Sequence, residues 1–174
     1  LLHLESIASE LRKVDLILVH TLADLSRLMG YGLSNNVRVF PHGFPDPPHS
    51  MHPKVRRLQA IDGEPIVGVN GFFLPHKGIL ETIRAIRILL SRYTRIRYVV
   101  ACSLHHDPIS LDYYQQCVAE VKELGLEKNV IFIKDIFQTE ELVQIDSLAD
   151  ILVMPYKDSQ ESTSAAIRIC LASG

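Results

Sequence analysis

The stretch IVGVNGFFLPHKGILETIRAIRILLSRY, residues 66–93, decides the fold class of this chain of 174 residues. Its first seven residues form an almost continuous apolar run, which predicts a buried β-strand. From residue 79 onward the apolar residues recur at helical spacing, so the segment predicts an amphipathic helix. The residues predicted to face the core are Ile79, Ile83, Ile86 and Leu90. A strand followed by a loop and an amphipathic helix is the repeating unit of an α/β domain.

The same order continues toward the C-terminus. Three more apolar strands are predicted, over residues 97–104, 130–137 and 151–156. Helices are predicted between them, over residues 112–125 with Gly125 as the stop and over residues 139–149 with Thr139 as the N-cap. Strands that are apolar throughout need helices on both faces, so the pattern predicts an α/β fold with a doubly wound parallel sheet.

The region before this domain has a different organisation. A helix at the start, strands over residues 16–20 and 36–40 and a helix over residues 22–32 are predicted there. Four prolines between residues 45 and 53 exclude a helix and a central strand, so this stretch is interpreted as a crossover or linker. The sequence begins and ends inside helical patterns, which predicts a fragment of a longer protein.

Composition excludes several classes of protein. A formal net charge of -2 gives no global attraction to nucleic acid. The three cysteines have no paired spacing, and the eight histidines form no close pairs on one helix face. We therefore expect neither a disulfide framework nor a zinc site, and we expect a reducing cytoplasm. The basic patches HPKVRR and RYTRIR are interpreted as solvated surface, with a membrane-surface contact as the alternative.

Ligands of open α/β sheets bind beyond the carboxyl ends of the strands. Lys77 lies in the loop after the first of these strands, and a helix is predicted to open near Glu161 after the last one. The free N–H groups of Ser162, Thr163 and Ser164, together with the Lys77 cation, would then form an anion site suited to phosphate. The alternatives are that the hydroxyl residues only cap the helix and that Lys77 is a solvent-exposed loop residue.

Other phosphate-binding classes are poorly supported. The sequence contains neither the G-x-G-x-x-G pattern of dinucleotide-binding domains nor the Walker-type G-x-x-x-x-G-K-[ST] loop. It also lacks an Asp-any-Asp pair that would clamp a metal ion for a nucleotide-sugar.

The order of five segments resembles glycosyltransferase family 4, retaining enzymes of the GT-B fold. These segments are NVRVFPHGFPD, GVNGFFLPHKGILETIRAI, LGLEKNVIFI, ADILVMPY and QESTSAAIRICLASG. The resemblance implies a Rossmann-like donor domain that binds a nucleotide-diphosphate sugar without metal. It also implies the domain boundaries: residues 1–44 as the C-terminal part of the acceptor domain, 45–64 as the linker and 65–174 as the donor-binding domain.

The resemblance further implies roles for individual residues. Lys77 matches the family's lysine for the diphosphate, and Glu161 matches the first of two glutamates, which contacts the donor sugar. Both are candidate catalytic residues. Phe72 stands where an arginine is usual and Ile169 where the second glutamate is usual, and Arg168 is a candidate replacement cation, with a structural salt bridge as its alternative. The full predicted donor site comprises Gly71, Lys77, Ile136, Phe137, Glu161, Ser162, Thr163 and Ser164, with ordinary packing as the alternative for Ile136 and Phe137.

The function that the resemblance implies is transfer of a hexose from a nucleotide-diphosphate sugar to a saccharide or lipid-linked acceptor. Retention, independence of metal and of any further cofactor, and a place in bacterial cell-envelope polysaccharide biosynthesis belong to the same expectation. The fragment is expected to be inactive alone and to self-associate, in the cytoplasm or at the membrane surface. A non-catalytic ligand-binding or interaction module and a GT-B epimerase or phosphorylase remain the alternatives.

Overall fold

A computed structural model of the chain describes residues 4–46, 50–157 and 163–174. The described residues form two compact units. One comprises those of Leu1–Gly43 and Gln160–Ala165, and the other those of Phe44–Ser159 and Ala166–Gly174.

The first unit contains two helices and two strands: α1 Leu4–Leu11, β1 Ile17–Val19, α2 Leu22–Gly30 and β2 Val37–Val39. The two strands pair in parallel, with Ile17 opposite Val37. Helix α2 begins at its predicted place because the Thr21 hydroxyl caps it, accepting from the backbone N–H of Asp24 at 3.0 Å. The small core of this unit comprises Ala8, Leu28, Leu33 and Val37.

The second unit contains most of the regular structure. Its elements are α3 Pro53–Arg56, β3 Ile66–Phe72, α4 Ile79–Leu89, β4 Arg97–Ser103, α5 Pro108–Glu123, β5 Val130–Ile133, α6 Thr139–Asp146 and β6 Ile151–Leu152, and α7 Ala165–Ala172 lies in it from Ala166 onward. The strand order in the sheet is β5-β4-β3-β6, and every pair is parallel.

Helices cover both faces of this sheet, as the alternation along β3 requires. Val67 and Val69 face the main core, which also contains the buried side chains of α4 and α5. The opposite face packs against α3 and α6, where Val55, Ala101 and Ile145 form a second cluster. The predicted α/β fold with a doubly wound parallel sheet is therefore confirmed.

Several local predictions need correction. Thr139 is not the N-cap of α6: Gln138 is, because the Glu141 side chain accepts from the Gln138 backbone N–H at 2.8 Å and completes a capping box. The predicted linker contains α3 and a 3-10 turn over Arg57–Ala60, and Val55 of α3 is fully buried. A proline at the first position of α3 is compatible with a helix because its missing N–H would be unbonded there anyway.

The final helix also begins later than predicted. Helix α7 starts at Ala165, and the described residues Thr163 and Ser164 precede it. Glu161 and Ser162 lie outside the described residues. Within the described ranges, no helix is both long enough and apolar enough to cross a membrane.

Candidate functional site

The strand order places a topological switch point beside β3. Strands β4 and β5 lie on one side of β3, and β6 lies on the other. In open α/β sheets, ligands bind at the carboxyl edge where the connections diverge in this way. Two of the segments that leave this edge follow the strands on either side of the switch point: the loop after β3, residues 73–78, and the segment after β6, residues 153–157, which we call the β6 segment.

The loop after β3 and the β6 segment are held together by backbone contacts. The N–H of Lys157 donates to the carbonyl oxygen of His76 at 2.8 Å. Gly78 has a φ of 69°, and a Cβ at this position would clash with the carbonyl oxygen of Pro155. Only glycine combines this φ with such a close approach at no steric cost. These contacts fix His76 and Gly78, and with them Lys77 between the two, against the β6 segment.

Lys77 lies at the centre of this junction. It occupies the last position of a 3-10 turn over Pro75–Lys77 and is only 6% exposed. Its ammonium lies 4.1 Å from the centroid of the Tyr156 ring, whose negative face attracts a cation. The alternative that Lys77 is a solvent-exposed loop lysine is therefore wrong. The other lysine of the junction, Lys157, is half exposed and pairs with Glu81 at 2.6 Å.

Gly71, at the end of β3, lies beside the first turn of α7. It has a φ of 131°, and a Cβ there would lie 3.9 Å from the Cβ of Ala166. The next residue, Phe72, is exposed, and its ring contacts the edge of His105 with 5.3 Å between the centroids. Gly71, with Ala166 beside it, and Lys77, with Tyr156 beside it, thus both follow the carboxyl end of β3.

The two residues predicted to cover a nucleobase have different environments. Ile136, in the loop between β5 and α6, is 80% exposed. Phe137 packs against the cluster of Val55, Ala101 and Ile145. Ordinary packing therefore accounts for Phe137, whereas Ile136 presents an apolar surface at the carboxyl side of β5.

Helix α7 begins four residues after Glu161, where its start was predicted. Because the helix begins at Ala165, the N–H groups of Ala165, Ala166 and Ile167 have no partner within the helix. Arg168 follows in the second turn, and its guanidinium lies 4.8 Å from the centroid of the Phe44 ring. Among the described residues, no three His, Cys, Asp or Glu side chains lie together as a metal site requires.

The sequence did not reveal a polar cluster formed by two buried residues and one partly buried cysteine. It consists of Asn70 of β3, Asp146 of α6 and Cys170 of α7. The Asn70 amide nitrogen donates to the Asp146 carboxylate and to the Cys170 sulfur, the latter at 3.3 Å. The Cys170 thiol donates to Oδ2 of Asp146 at 3.4 Å. The only sequence signals were an amide inside an apolar strand and a carboxylate on a helix near its C-terminal end.

Burial dominates the electrostatics of this cluster. Asp146 is 2% exposed, and desolvation raises the pKa of its carboxyl to about 6, although the hydrogen bonds from Cys170 and Asn70 oppose the shift. Burial and the neighbouring Asp146 charge also raise the pKa of the Cys170 thiol. The thiol therefore stays protonated near neutral pH and remains a hydrogen-bond donor.

Asp146→Asn should change how stability depends on pH. Burial raises the pKa of Asp146 from 3.8 to about 6, so the folded protein keeps a proton between these pH values that the unfolded chain releases. The wild-type free energy of unfolding should therefore fall as the pH rises from about 4 to about 6, by ~3 kcal/mol from this group. The neutral amide lacks this contribution, so the stability of the variant relative to wild type should rise with pH. Free energies of unfolding, measured by urea titration at pH 4, 5, 6 and 7, test this prediction. The same pH dependence in both proteins would contradict it.

The fold is a Rossmann-like α/β domain, and it matches the Rossmann-like domains of GT-B proteins. The chain is similar to the C-terminal domain of a glycosyl transferase group 1 family protein, LpcC, from Francisella tularensis, with 25% identity and a TM-score of 0.57. It is also similar to an α,α-trehalose-phosphate synthase (UDP-forming) from Burkholderia xenovorans, with 12% identity and a TM-score of 0.71. A third similar structure, with 17% identity and a TM-score of 0.61, is Anabaena Alr3699/HepE in complex with UDP and glucose. The predicted resemblance to GT-B glycosyltransferases is confirmed.

The matches cover most of this chain but a smaller share of the similar structures. They span 73%, 97% and 85% of this chain and 63%, 46% and 41% of the LpcC, synthase and HepE chains, respectively. No protein-family model matches the sequence, and neither does any curated protein.

Proposed function

We propose that this chain carries the donor-binding site of a glycosyltransferase that uses a nucleotide-diphosphate sugar. The observation that carries the proposal is the position of Lys77, a buried cation at the switch point of a GT-B-type sheet. Among the similar structures, HepE is described with UDP and glucose, and the Burkholderia synthase is described as UDP-forming. These descriptions support a nucleoside diphosphate as the leaving group here as well.

The chemistry of the site follows from its charges and backbone. When the bond between sugar and diphosphate breaks, negative charge develops on the diphosphate, and Lys77 would stabilise it by a charge-assisted hydrogen bond. Gly71 leaves the end of β3 without a side chain, so a phosphate can approach the backbone closely. Exposed Ile136 would cover the nucleobase. Glu161 would bind the sugar hydroxyls, and the segment Ser162, Thr163 and Ser164 would assist at the phosphates.

The finer features of the reaction belong to the same proposal. We infer transfer of a hexose, with retention and without metal, to a saccharide or lipid-linked acceptor. Bacterial cell-envelope polysaccharide biosynthesis in the cytoplasm, with contact to the membrane surface, is the context that the resemblance implies. Acceptor binding requires a second surface opposite the donor, because holding both reactants together supplies a large share of the rate enhancement.

A non-catalytic nucleotide-binding module is the second candidate. Phe72 replaces the arginine that is usual in the family and makes an edge contact with His105. Ile169 replaces the usual second glutamate. The two candidates differ in one respect: both bind a nucleoside diphosphate, but only the first releases it from a nucleotide-sugar when an acceptor is present.

A nucleoside diphosphate should stabilise the protein without a metal ion. We expect UDP, GDP or ADP to raise the melting temperature, because ligand that binds only the folded state shifts the unfolding equilibrium. The rise should be the same with magnesium as with a chelator, since Lys77 provides the compensating charge. Thermal unfolding with each nucleotide, and with inorganic sulfate as the control for a general anion effect, checks this. A rise that requires a divalent ion would reject metal-free binding, and no rise with any of the three would reject the donor site.

A further inference from the structure

Helix α7 is joined to the sheet by a polar contact that the proposed function does not use. Asn70, Asp146 and Cys170 come from three different elements, β3, α6 and α7. Asn70 is 1% exposed, and no hydrogen bond to its side-chain oxygen is present in the described part of the chain. The Asp146 carboxylate accepts from both other side chains. The hydrogen bonds of this cluster therefore connect β3, α6 and α7 to one another.

The same face of α7 also touches the candidate site. Ala166 and Cys170 are four residues apart and therefore lie on one face of the helix, a turn from each other. Ala166 lies beside Gly71, and Cys170 bonds to Asn70, the residue before Gly71. Two features thus relate α7 to the end of β3: Ala166 lies beside Gly71, and Cys170 makes a polar contact with Asn70.

The polar contact is the one that specifies the register. A slide of one residue would move Cys170 by about 1.5 Å along the helix axis. The Asp146 carboxylate would then lose a donor while still buried, and an unsatisfied buried acceptor is costly. The position of Ala166 beside Gly71 imposes a weaker requirement, because Gly71 has no side chain and a small shift of the Ala166 methyl group is tolerated there.

We propose that Asp146 and Cys170 are positioning residues, which hold the first turn of α7 against Gly71 and thereby set the affinity of the site for a nucleoside diphosphate. The role in affinity rests on the proposed function, whereas the hold on α7 does not. Neither residue touches the ligand in this proposal. Their effect reaches it through the position of α7.

Three single variants test the proposal. Cys170→Ala removes the thiol donor, and Cys170→Ser replaces it with a hydroxyl that can donate to the same carboxylate. Cys117→Ala is the matched control, because Cys117 of α5 is a buried thiol in the main core and takes no part in this cluster. Each variant is measured for UDP affinity by calorimetry and for amide hydrogen exchange of the peptides covering α7.

We expect Cys170→Ala to weaken UDP binding by about five- to tenfold, the equivalent of one lost hydrogen bond, and to speed exchange in α7. Cys170→Ser should restore both properties toward wild type, and Cys117→Ala should leave both unchanged. Unchanged exchange in Cys170→Ala, or a serine variant that behaves like the alanine variant, would overturn the proposal. If the wild type binds no UDP, the proposed function fails for this nucleotide, and the exchange rates in α7 still decide whether the cluster positions the helix.

Discussion

Lys77→Met is expected to weaken the binding of a nucleoside diphosphate by about tenfold to a hundredfold. A hydrogen bond between charged partners contributes roughly 1.5–3 kcal/mol, which corresponds to this range of affinity. Methionine keeps the length and apolar stem of lysine, and its thioether makes favourable contacts with an aromatic ring, so packing on Tyr156 is retained. The loss should therefore come from the missing charge, and calorimetric titration of UDP measures it.

Lys157→Met is the matched control for this variant. Lys157 lies in the same junction and carries the same charge, but its side chain is half exposed, whereas Lys77 is buried. Because exposed charges are screened by solvent, its removal should change affinity much less. Equal weakening by the two variants would show that only the general positive charge of this edge matters. Unchanged affinity in Lys77→Met would show that Lys77 does not bind the diphosphate.

The sheet could be predicted from the sequence because its signal is local. Strand β3 has the predicted bounds, and α4 begins at the predicted residue. Apolar runs and helical periodicity are properties of neighbouring residues, so no tertiary information was needed. Strand β6 is shorter than its apolar run: only Ile151 and Leu152 pair with β3, and the segment then turns toward the loop after β3. Hydrophobicity predicts burial there, yet Ile151 is half exposed, and the apolar run does not reveal where pairing stops.

The candidate site was only partly accessible to sequence reasoning. Lys77 was predicted at the correct edge of the sheet because the loop follows a recognisable strand. Its burial could not be predicted, since it depends on Tyr156, 79 residues further along the chain. The cluster of Asn70, Asp146 and Cys170 has the same character, because its members are up to 100 residues apart and meet only when β3, α6 and α7 pack together.

Gly78 also depends on a distant contact, and adding one methyl group there should lower the free energy of unfolding strongly. Gly78→Ala is expected to destabilise the fold by roughly 3 kcal/mol or more. About 1–2 kcal/mol comes from placing a Cβ at a left-handed φ. The rest comes from the clash with Pro155, because a backbone carbonyl in a packed junction cannot move aside without disturbing its own neighbours. Since the variant also displaces Lys77 from Tyr156, nucleotide affinity should fall together with stability.

Gly125→Ala separates the two contributions. Gly125 follows α5 with a φ of 66°, close to the 69° of Gly78, but nothing lies within 4 Å of a Cβ built there. This variant therefore carries the backbone cost without the clash and should lose only about 1–2 kcal/mol. Its nucleotide affinity should be that of wild type, because the position lies away from the junction of the loop after β3 with the β6 segment. Urea unfolding and UDP titration of both variants measure the difference. If Gly78→Ala proved no more destabilising than Gly125→Ala, the close approach of Pro155 would not constrain the loop, and the junction could not be what holds Lys77 in place.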